Sequence, residues 1–467
     1  MSGIAELLAN LGYVVSGSDE RRSPVTDRLE SLGVTVAAGH DARHVGDAEV
    51  VVVSSAVRPT NAEVREAVRR QIPVIPRAEM LAELMRLRYS IAVAGAHGKT
   101  TTTSMIALML ERAGLDPTAV IGGRLSAFGS NARLGAGELM VAEADESDRS
   151  FLKLFPTVAV ITNIDHEHLE NYGGFDDLQQ AFVDFANKVP FYGGVVACAD
   201  DPNLASVLPR MTRRVTTYGL DAANVDLTAT DIALGPLTAA ATVSRRARRA
   251  GDAVDSLVTL GRLMLNVPGR HNLLNALAAV AVGIEIGLPF DRVASGLREF
   301  RGAERRFEVR GEPNGVLVVD DYGHHPTEIA AVLAAARTLN RRIVVAFQPH
   351  RFSRTAALMS AFGPALSGAD HIVLTDIYAA GEDPIPGVTI GALAAAVRAG
   401  VKVDVDVVPQ LEDVVAAIVR VARTGDLVIT LGAGSIGTLP ERLVEALGGG
   451  RFASAPPPDG GGSGGHA

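Results

Sequence analysis

The stretch SIAVAGAHGKTTTTSM, residues 90–105, constrains this chain more than any other. A short apolar run, a glycine turn, a lysine and four threonines read as a buried strand entering a phosphate-cradling loop and then a helix. Strand, loop and helix in that order commit the region to an α/β architecture, because the helix must return along the face of a parallel sheet. Backbone N–H groups of Gly95, Ala96, His97 and Gly98, with the helix start at Lys99, Thr100 and Thr101, are then the nucleotide-binding segment. Lys99 is placed to reach the β and γ phosphates of a nucleotide, and the Thr100 hydroxyl to supply an oxygen to Mg²⁺. The long form of such a loop carries one more glycine, at the position where Val93 stands.

Similar strand–helix alternation on both sides of this loop predicts three α/β domains. Residues 1–88 read as Rossmann-like, with the helix AELLANLG and the strands YVVSGSD, AEVVVVSSAV and IPVIP. A helix so close to Met1 leaves the first strand and glycine turn of such a unit missing, so this domain is expected to be N-terminally truncated. Residues 89–303 form a central P-loop ATPase-type domain, with short alternating runs over 212–267 predicting an antiparallel insert. Residues 304–447 form a second Rossmann-like domain with four buried strands, after a charged hinge at 298–308. The Gly-, Ser- and Pro-rich tail, 448–467, is expected to be disordered.

Composition excludes several classes of function. Against 53 Asp and Glu stand 44 Lys and Arg, a net charge of −9, so neither nucleic acid nor an anionic membrane is expected as a partner. The run RRARR at 245–249 reads as a solvated hairpin loop. No apolar stretch reaches the roughly 18 residues of a membrane span, and no cleavable leader is evident, so a cytoplasmic protein without membrane insertion is expected. The single cysteine, Cys198, cannot form an internal disulfide and reads as core filling.

Polar residues gather at the ends of the apolar runs, where open α/β sheets bind ligands. Glu143 and Asp145 in VAEADESD could complete a Mg²⁺ shell or form a solvated acidic turn. TNIDHEHLENY places Asn163, His166 and His168 after the next strand. Asn272 and Asn275 open a helix, where they could read an adenine edge or serve as caps. Asp320, Asp321, Tyr322, His324 and His325 crowd one strand end in the last domain, and His350, Arg351 and Arg354 another. Arginine forks suit carboxylates and phosphates, so that edge suits an anionic substrate.

GAHGKTTTT, EADESD, TNIDHEHLE, GRHNLLNA, ERRFE, DDYGHHPTE and QPHRFSRT follow the order found in Mur ligases, and the chain resembles that family over residues 1–445. The short phosphate loop is normal for the family. The resemblance is strongest to its alanine-adding members and implies ATP-driven amide formation in peptidoglycan synthesis. The lactyl carboxylate of UDP-N-acetylmuramate takes the γ-phosphate, and the amine of L-alanine then displaces phosphate. By family position Thr100 and Glu143 hold one Mg²⁺ and His168 helps hold a second. Asn272, Asn275 and Arg306 contact the nucleotide, and Asp321 the ribose. His324, Arg351 and Arg354 receive the alanine carboxylate, while Ser18, Asp19, His40 and Ser55 contact the UDP-sugar. A ligase recycling murein tripeptide onto the same sugar, and a non-catalytic nucleotide switch, remain alternatives.

Overall fold

A computed structural model describes residues 1–54, 56–125, 130–247 and 256–449, with the side chains of 123–131 left aside. The chain divides between Glu304 and Arg305 into two compact units.

The first unit is organised by a ten-stranded mixed sheet. Its centre is parallel: Thr118–Leu125, Leu139–Glu143, Tyr89–Ala94, Val158–Ile161, Gly194–Cys198 and Val215–Gly219 lie side by side in that order. The strand Ser130–Arg133 closes one end antiparallel, and Leu227–Leu234, Ala239–Ala247 and Ser256–Leu265 extend the other. The central strands are buried on both faces, as continuous apolar runs in a parallel sheet require. Helix Lys99–Arg112 is buried along Thr101–Leu110 because helices Arg270–Glu285 and Phe290–Arg298 pack on its outer side.

RRARR lies partly inside a strand: Arg245–Ala247 pair with Ser256–Val258, and Arg248 and Arg249 lie outside the described residues. Alternating neighbours extend the ladder further than the charge run suggested.

The three strands read near the chain start are present but shorter than the apolar runs, and a fourth, Thr35–Ala38, was not read. Helix Ser2–Asn10 puts Ile4 and Leu7 into the core of the large sheet, while Leu11 is exposed. Ser16–Asp19 pairs in parallel with Thr35–Ala38, and Val51–Val53 with Val74–Pro76. No strand joins these two pairs among the described residues. Their residues are only half-buried or exposed, and Tyr13 and Val14 stand outside the ladder in solvent.

In the second unit a six-stranded sheet runs Glu308–Gly311, Leu317–Asp321, Leu427–Leu431, Ile343–Phe347, His371–Leu374 and Asp404–Val407. Alternate residues of the central strands feed two cores: Leu317, Val319 and Val345 face one, and Val318, Val344 and Val428 the other. The two outer strands lie beyond the four apolar runs read in the sequence. Glu308–Gly311 falls at the charged end of the expected hinge, and Asp404–Val407 alternates acid with valine, as an edge strand with one wet face does. Among the described residues no helix is long and apolar enough to cross a membrane. The tail from 450 onwards lies outside the described residues.

Candidate functional site

Three parallel strands end beside one another around the phosphate loop. Tyr89–Ala94 delivers the chain into Gly95–Gly98, and its neighbours Leu139–Glu143 and Val158–Ile161 end at the same edge. Gly98 adopts the left-handed conformation (φ 80°), and a Cβ there would stand 2.6 Å from Asn275 Oδ1. Only glycine meets both demands. Thr162 Oγ1 and Asn163 Nδ2 donate to the His97 carbonyl at 2.6 and 2.9 Å, and His97 N–H donates to Asn163 Oδ1 at 2.8 Å. His97 Nε2 lies 2.8 Å from Asp165 Oδ2. The loop is thus clamped by the segment after the neighbouring strand.

Lys99 Nζ donates to the Gly95 carbonyl at 2.6 Å and to Glu146 Oε1 at 2.7 Å. Burial works against the lysine's charge, but the Glu146 and Glu143 carboxylates outweigh it and hold its pKa above the ordinary value. Glu146 is itself buried, which pushes its carboxyl up to about 7 despite Lys99. Thr100 Oγ1 donates to Glu143 Oε2 at 3.0 Å, and Gly122 N–H donates to the same oxygen at 2.8 Å. A Cβ on Gly122 would come within 2.6 Å of Glu143, so a bare backbone is needed there. Thr101 is buried behind this pair.

The asparagines of helix Arg270–Glu285 meet the loop from behind. Asn275 Oδ1 accepts from Thr102 Oγ1 at 3.2 Å, and Asn272 Nδ2 donates to the Pro268 carbonyl at 2.7 Å. His168 sits after Val158–Ile161 in the left-handed region, 3.8 Å from Glu167 and 3.7 Å from Glu170.

Near the chain start, Ser18 Oγ lies 3.0 Å from His40 Nδ1 and donates to Glu63 Oε2 at 2.7 Å. Asp19 accepts from Arg21 N–H at 3.1 Å. Ser55 lies outside the described residues. Glu63, the hub joining Ser18, His40 and His44, was missed in the sequence. It stands in the first turn of a helix, where an acid already suits the helix dipole, so its wider role is hidden.

The second unit gathers a separate cluster at the ends of Leu317–Asp321 and Ile343–Phe347. Asp321 is buried and accepts from the N–H groups of Phe307 and Gly323 at 2.7 Å each. Burial pushes its carboxyl up to about 6. Arg306 pairs with Glu328 at 3.3 Å and stacks over the Tyr322 ring. His324 Nδ1 lies 3.1 Å from the Tyr322 carbonyl, which can only accept, so that nitrogen carries the proton. Arg354 Nη1 lies 3.2 Å from His350 Nδ1, which must therefore be the unprotonated nitrogen. Burial pushes His324 down to about 3 and His350 to about 4, so both are neutral at pH 7. Arg351, in the left-handed region (φ 70°), lies 3.9 Å from Glu382.

The structure thus brings Lys99, Thr100 and Glu143 together, with Asn275 behind the loop, and gathers His324, Arg351 and Arg354 in the second unit. Missed in the sequence was Glu146, although EADESD contains it: its place under Lys99 depends on the turn after Glu143.

Three family models match the chain: "Mur ligase family, catalytic domain" over residues 1–89, "Mur ligase middle domain" over 93–283 and "Mur ligase, glutamate ligase domain" over 305–434. A UDP-N-acetylmuramate–L-alanine ligase from Geobacter sp. (strain M21) is 53% identical over 449 residues, covering 96% of this chain and 95% of that one. The enzyme of the same name from Anaeromyxobacter dehalogenans (strain 2CP-C) is 54% identical over 448 residues, with coverage of 96% and 95%. Among solved structures, a UDP-N-acetylmuramate–alanine ligase from Thermotoga maritima matches with a TM-score of 0.79 at 28% identity, covering 95% of this chain and 96% of that one. A murein peptide ligase from Psychrobacter arcticus matches with a TM-score of 0.68 at 26% identity, covering 96% of each chain.

Proposed function

The chain belongs to the Mur ligase family, and from that premise we infer that it is a UDP-N-acetylmuramate–L-alanine ligase of peptidoglycan synthesis. The observation that carries this reading is identity of 53–54% along almost the whole chain to ligases of that name. The reaction joins the lactyl carboxylate of UDP-N-acetylmuramate to the amine of L-alanine. The carboxylate takes the γ-phosphate of ATP and ADP leaves; the amine then attacks the acyl phosphate and phosphate leaves.

Each demand of this chemistry has a group to meet it. Two anions meet in the first step, so Lys99 stabilises the charge developing on the γ-phosphate, moving from the Gly95 carbonyl and Glu146 to do so. The N–H groups of the loop bind phosphate oxygens, and Thr101, Asn272 and Asn275 complete the nucleotide site. Thr100 and Glu143 offer a hydroxyl and a carboxylate within 3.0 Å of each other, a hard-oxygen pair that fits Mg²⁺. They would hold one ion and His168 would help hold a second. Bound Mg²⁺ supplies charge neutralisation at the phosphates.

Arg306 and Asp321 serve the nucleotide. Arg351 and Arg354 bind the L-alanine carboxylate with His324 beside them. Ser18, Asp19, His40 and Ser55 contact the UDP-sugar, residues 1–88 are its binding domain, and the reaction takes place in the cytoplasm.

ADP formation across a panel of amino acids, with UDP-N-acetylmuramate fixed, tests the assignment. L-alanine should be preferred, with no ADP released when either substrate is omitted. Turnover with murein tripeptide but not with L-alanine would move the chain to the recycling branch of the family. ATP hydrolysis without either substrate would make it a switch.

A further inference from the structure

Three segments far apart in the chain meet through one carboxylate near its start. The strand Ser16–Asp19 carries Ser18, the turn after Thr35–Ala38 carries His40, and the helix Ala62–Arg69 carries Glu63. Glu63 is set firmly in place. Its N–H donates to Asn61 Oδ1 at 2.8 Å, the cap of that helix, and its side chain is 17% exposed. The ligase reading above uses Ser18 and His40 and has no task for Glu63.

The protons available decide which groups donate. A carboxylate can only accept, so the 2.7 Å contact with Glu63 Oε2 takes the single proton of the Ser18 hydroxyl. Toward His40 Nδ1, 3.0 Å away, Ser18 Oγ then offers only a lone pair. Nδ1 therefore carries a proton and donates it, which leaves Nε2 of the neutral imidazole as an acceptor. Glu63 does not reach His40 directly, since its Oε1 lies 3.6 Å from Nδ1, beyond hydrogen-bond distance. That oxygen is engaged elsewhere: Asp41 N–H and His44 Nδ1 lie 3.3 and 3.0 Å from it. With a partner at each oxygen, Glu63 is where the chain of hydrogen bonds ends.

We propose that Glu63 is a positioning residue of the sugar-nucleotide site, acting through Ser18 to hold His40 in the tautomer with hydrogen on Nδ1. His40 Nε2 then accepts from an N–H or O–H group of the uridine or the sugar. The same nitrogen would repel a phosphate oxygen, which needs a donor, so His40 serves these neutral parts of the ligand and not the diphosphate. Without Glu63 the Ser18 proton is released to point at Nδ1, the ring takes its own proton on Nε2, and the acceptor is lost. The ligand contact rests on the assignment of Ser18 and His40 to the UDP-sugar, whereas the tautomer follows from the three side chains alone.

Nitrogen-15 NMR of the histidine rings in the full-length protein reads the tautomer, at about pH 8.5 where an ordinary imidazole of pKa about 6.5 is neutral. The His40 signals are identified by their absence in His40→Gln. In the wild type the hydrogen should sit on Nδ1. Glu63→Ala should move it to Nε2 and raise the Kd for UDP-N-acetylmuramate, measured by calorimetry, about tenfold, the scale of one hydrogen bond. Glu63→Gln keeps an acceptor for Ser18, so it should retain the wild-type tautomer and stay within about threefold of wild-type affinity. The KM for ATP should not change in either variant.

Hydrogen on Nε2 in the wild type would overturn the proposal, and that result requires no variant to fold. So would an unchanged tautomer in Glu63→Ala, or a changed tautomer with unchanged affinity. Equal loss of affinity in Glu63→Gln and Glu63→Ala would make Glu63 a structural part of its helix and equally overturn it. If L-alanine failed in the amino-acid panel while Glu63→Ala still shifted the tautomer and weakened the sugar nucleotide, the ligase assignment would fall and the role of Glu63 would stand.

Discussion

In the first unit Lys99 is held by a buried carboxylate and a loop carbonyl, whereas in the second unit Arg354 donates to a neutral imidazole and Arg351 stands 3.9 Å from Glu382. Both clusters are built at the C-terminal ends of buried parallel strands. They differ in how charge is balanced before substrate arrives. The lysine sits in an ion pair that phosphate must displace, while the arginines lie beside two histidines that burial keeps uncharged. A site for a highly charged ligand can exchange one ionic partner for another. A site for a small amino acid can combine cations with neutral imidazoles, which offer a donor and an acceptor to a zwitterion without adding charge.

The strongest break of this comparison is Lys99→Ala. Turnover should fall by at least two orders of magnitude, corresponding to about 3 kcal/mol of lost charge stabilisation. The variant should also be less stable, because Glu146 is left buried without its cation. Adding Glu146→Gln should restore the melting temperature but not turnover. Recovery of turnover in the double variant would show that Lys99 serves the fold rather than the phosphate.

Arg351→Ala and Arg354→Ala should each raise the KM for L-alanine by about tenfold or more, the scale of one charge-assisted hydrogen bond, with little change in the KM for ATP. Equal effects on both constants would remove the contrast between the two clusters. A smaller effect is expected of Glu143→Gln: a several-fold higher Mg²⁺ concentration for half-maximal rate, because an amide is a poorer ligand for a hard cation than a carboxylate. An unchanged Mg²⁺ titration would take Glu143 out of the metal site.

The smallest effect is a difference in pH dependence. Glu146 has a folded pKa of about 7 against an ordinary 4.5, so the folded state binds more protons between these values. Its contribution to stability is full below about 4.5 and is lost as pH rises towards 7. His350 has a folded pKa of about 4 against 6.5, so its contribution is present above 6.5 and lost as pH falls towards 4. Thermal melts of Glu146→Gln and His350→Asn across pH 4–8, set against the wild type, should therefore change the slope of stability with pH in opposite directions. Asn keeps an acceptor for Arg354, which separates loss of titration from loss of the contact. Changes of the same sign would mean that the two clusters balance charge alike.

What the sequence determined by itself is whatever is encoded over a few neighbouring residues. The run SIAVAGAHGKT announces strand, loop and helix because an apolar run with a glycine exit and a threonine-rich helix start has few other ways to fold. The same logic made the acidic end of VAEADESD and the His–Arg end of QPHRFSRT legible as strand-end chemistry, and the motif order carried the family. Tertiary structure alone decided the partners. Asn275 reaches Gly98 across 177 positions of chain, Glu63 joins Ser18 to His40, and Glu146 rather than Asp145 takes Lys99. The strands Glu308–Gly311 and Asp404–Val407 were invisible for the related reason that an edge strand has one wet face and a weak apolar signal. Local patterns report how a segment meets water and its own next turn. Which buried carboxylate neutralises which cation depends on packing between segments far apart in the chain, and no local pattern carries that.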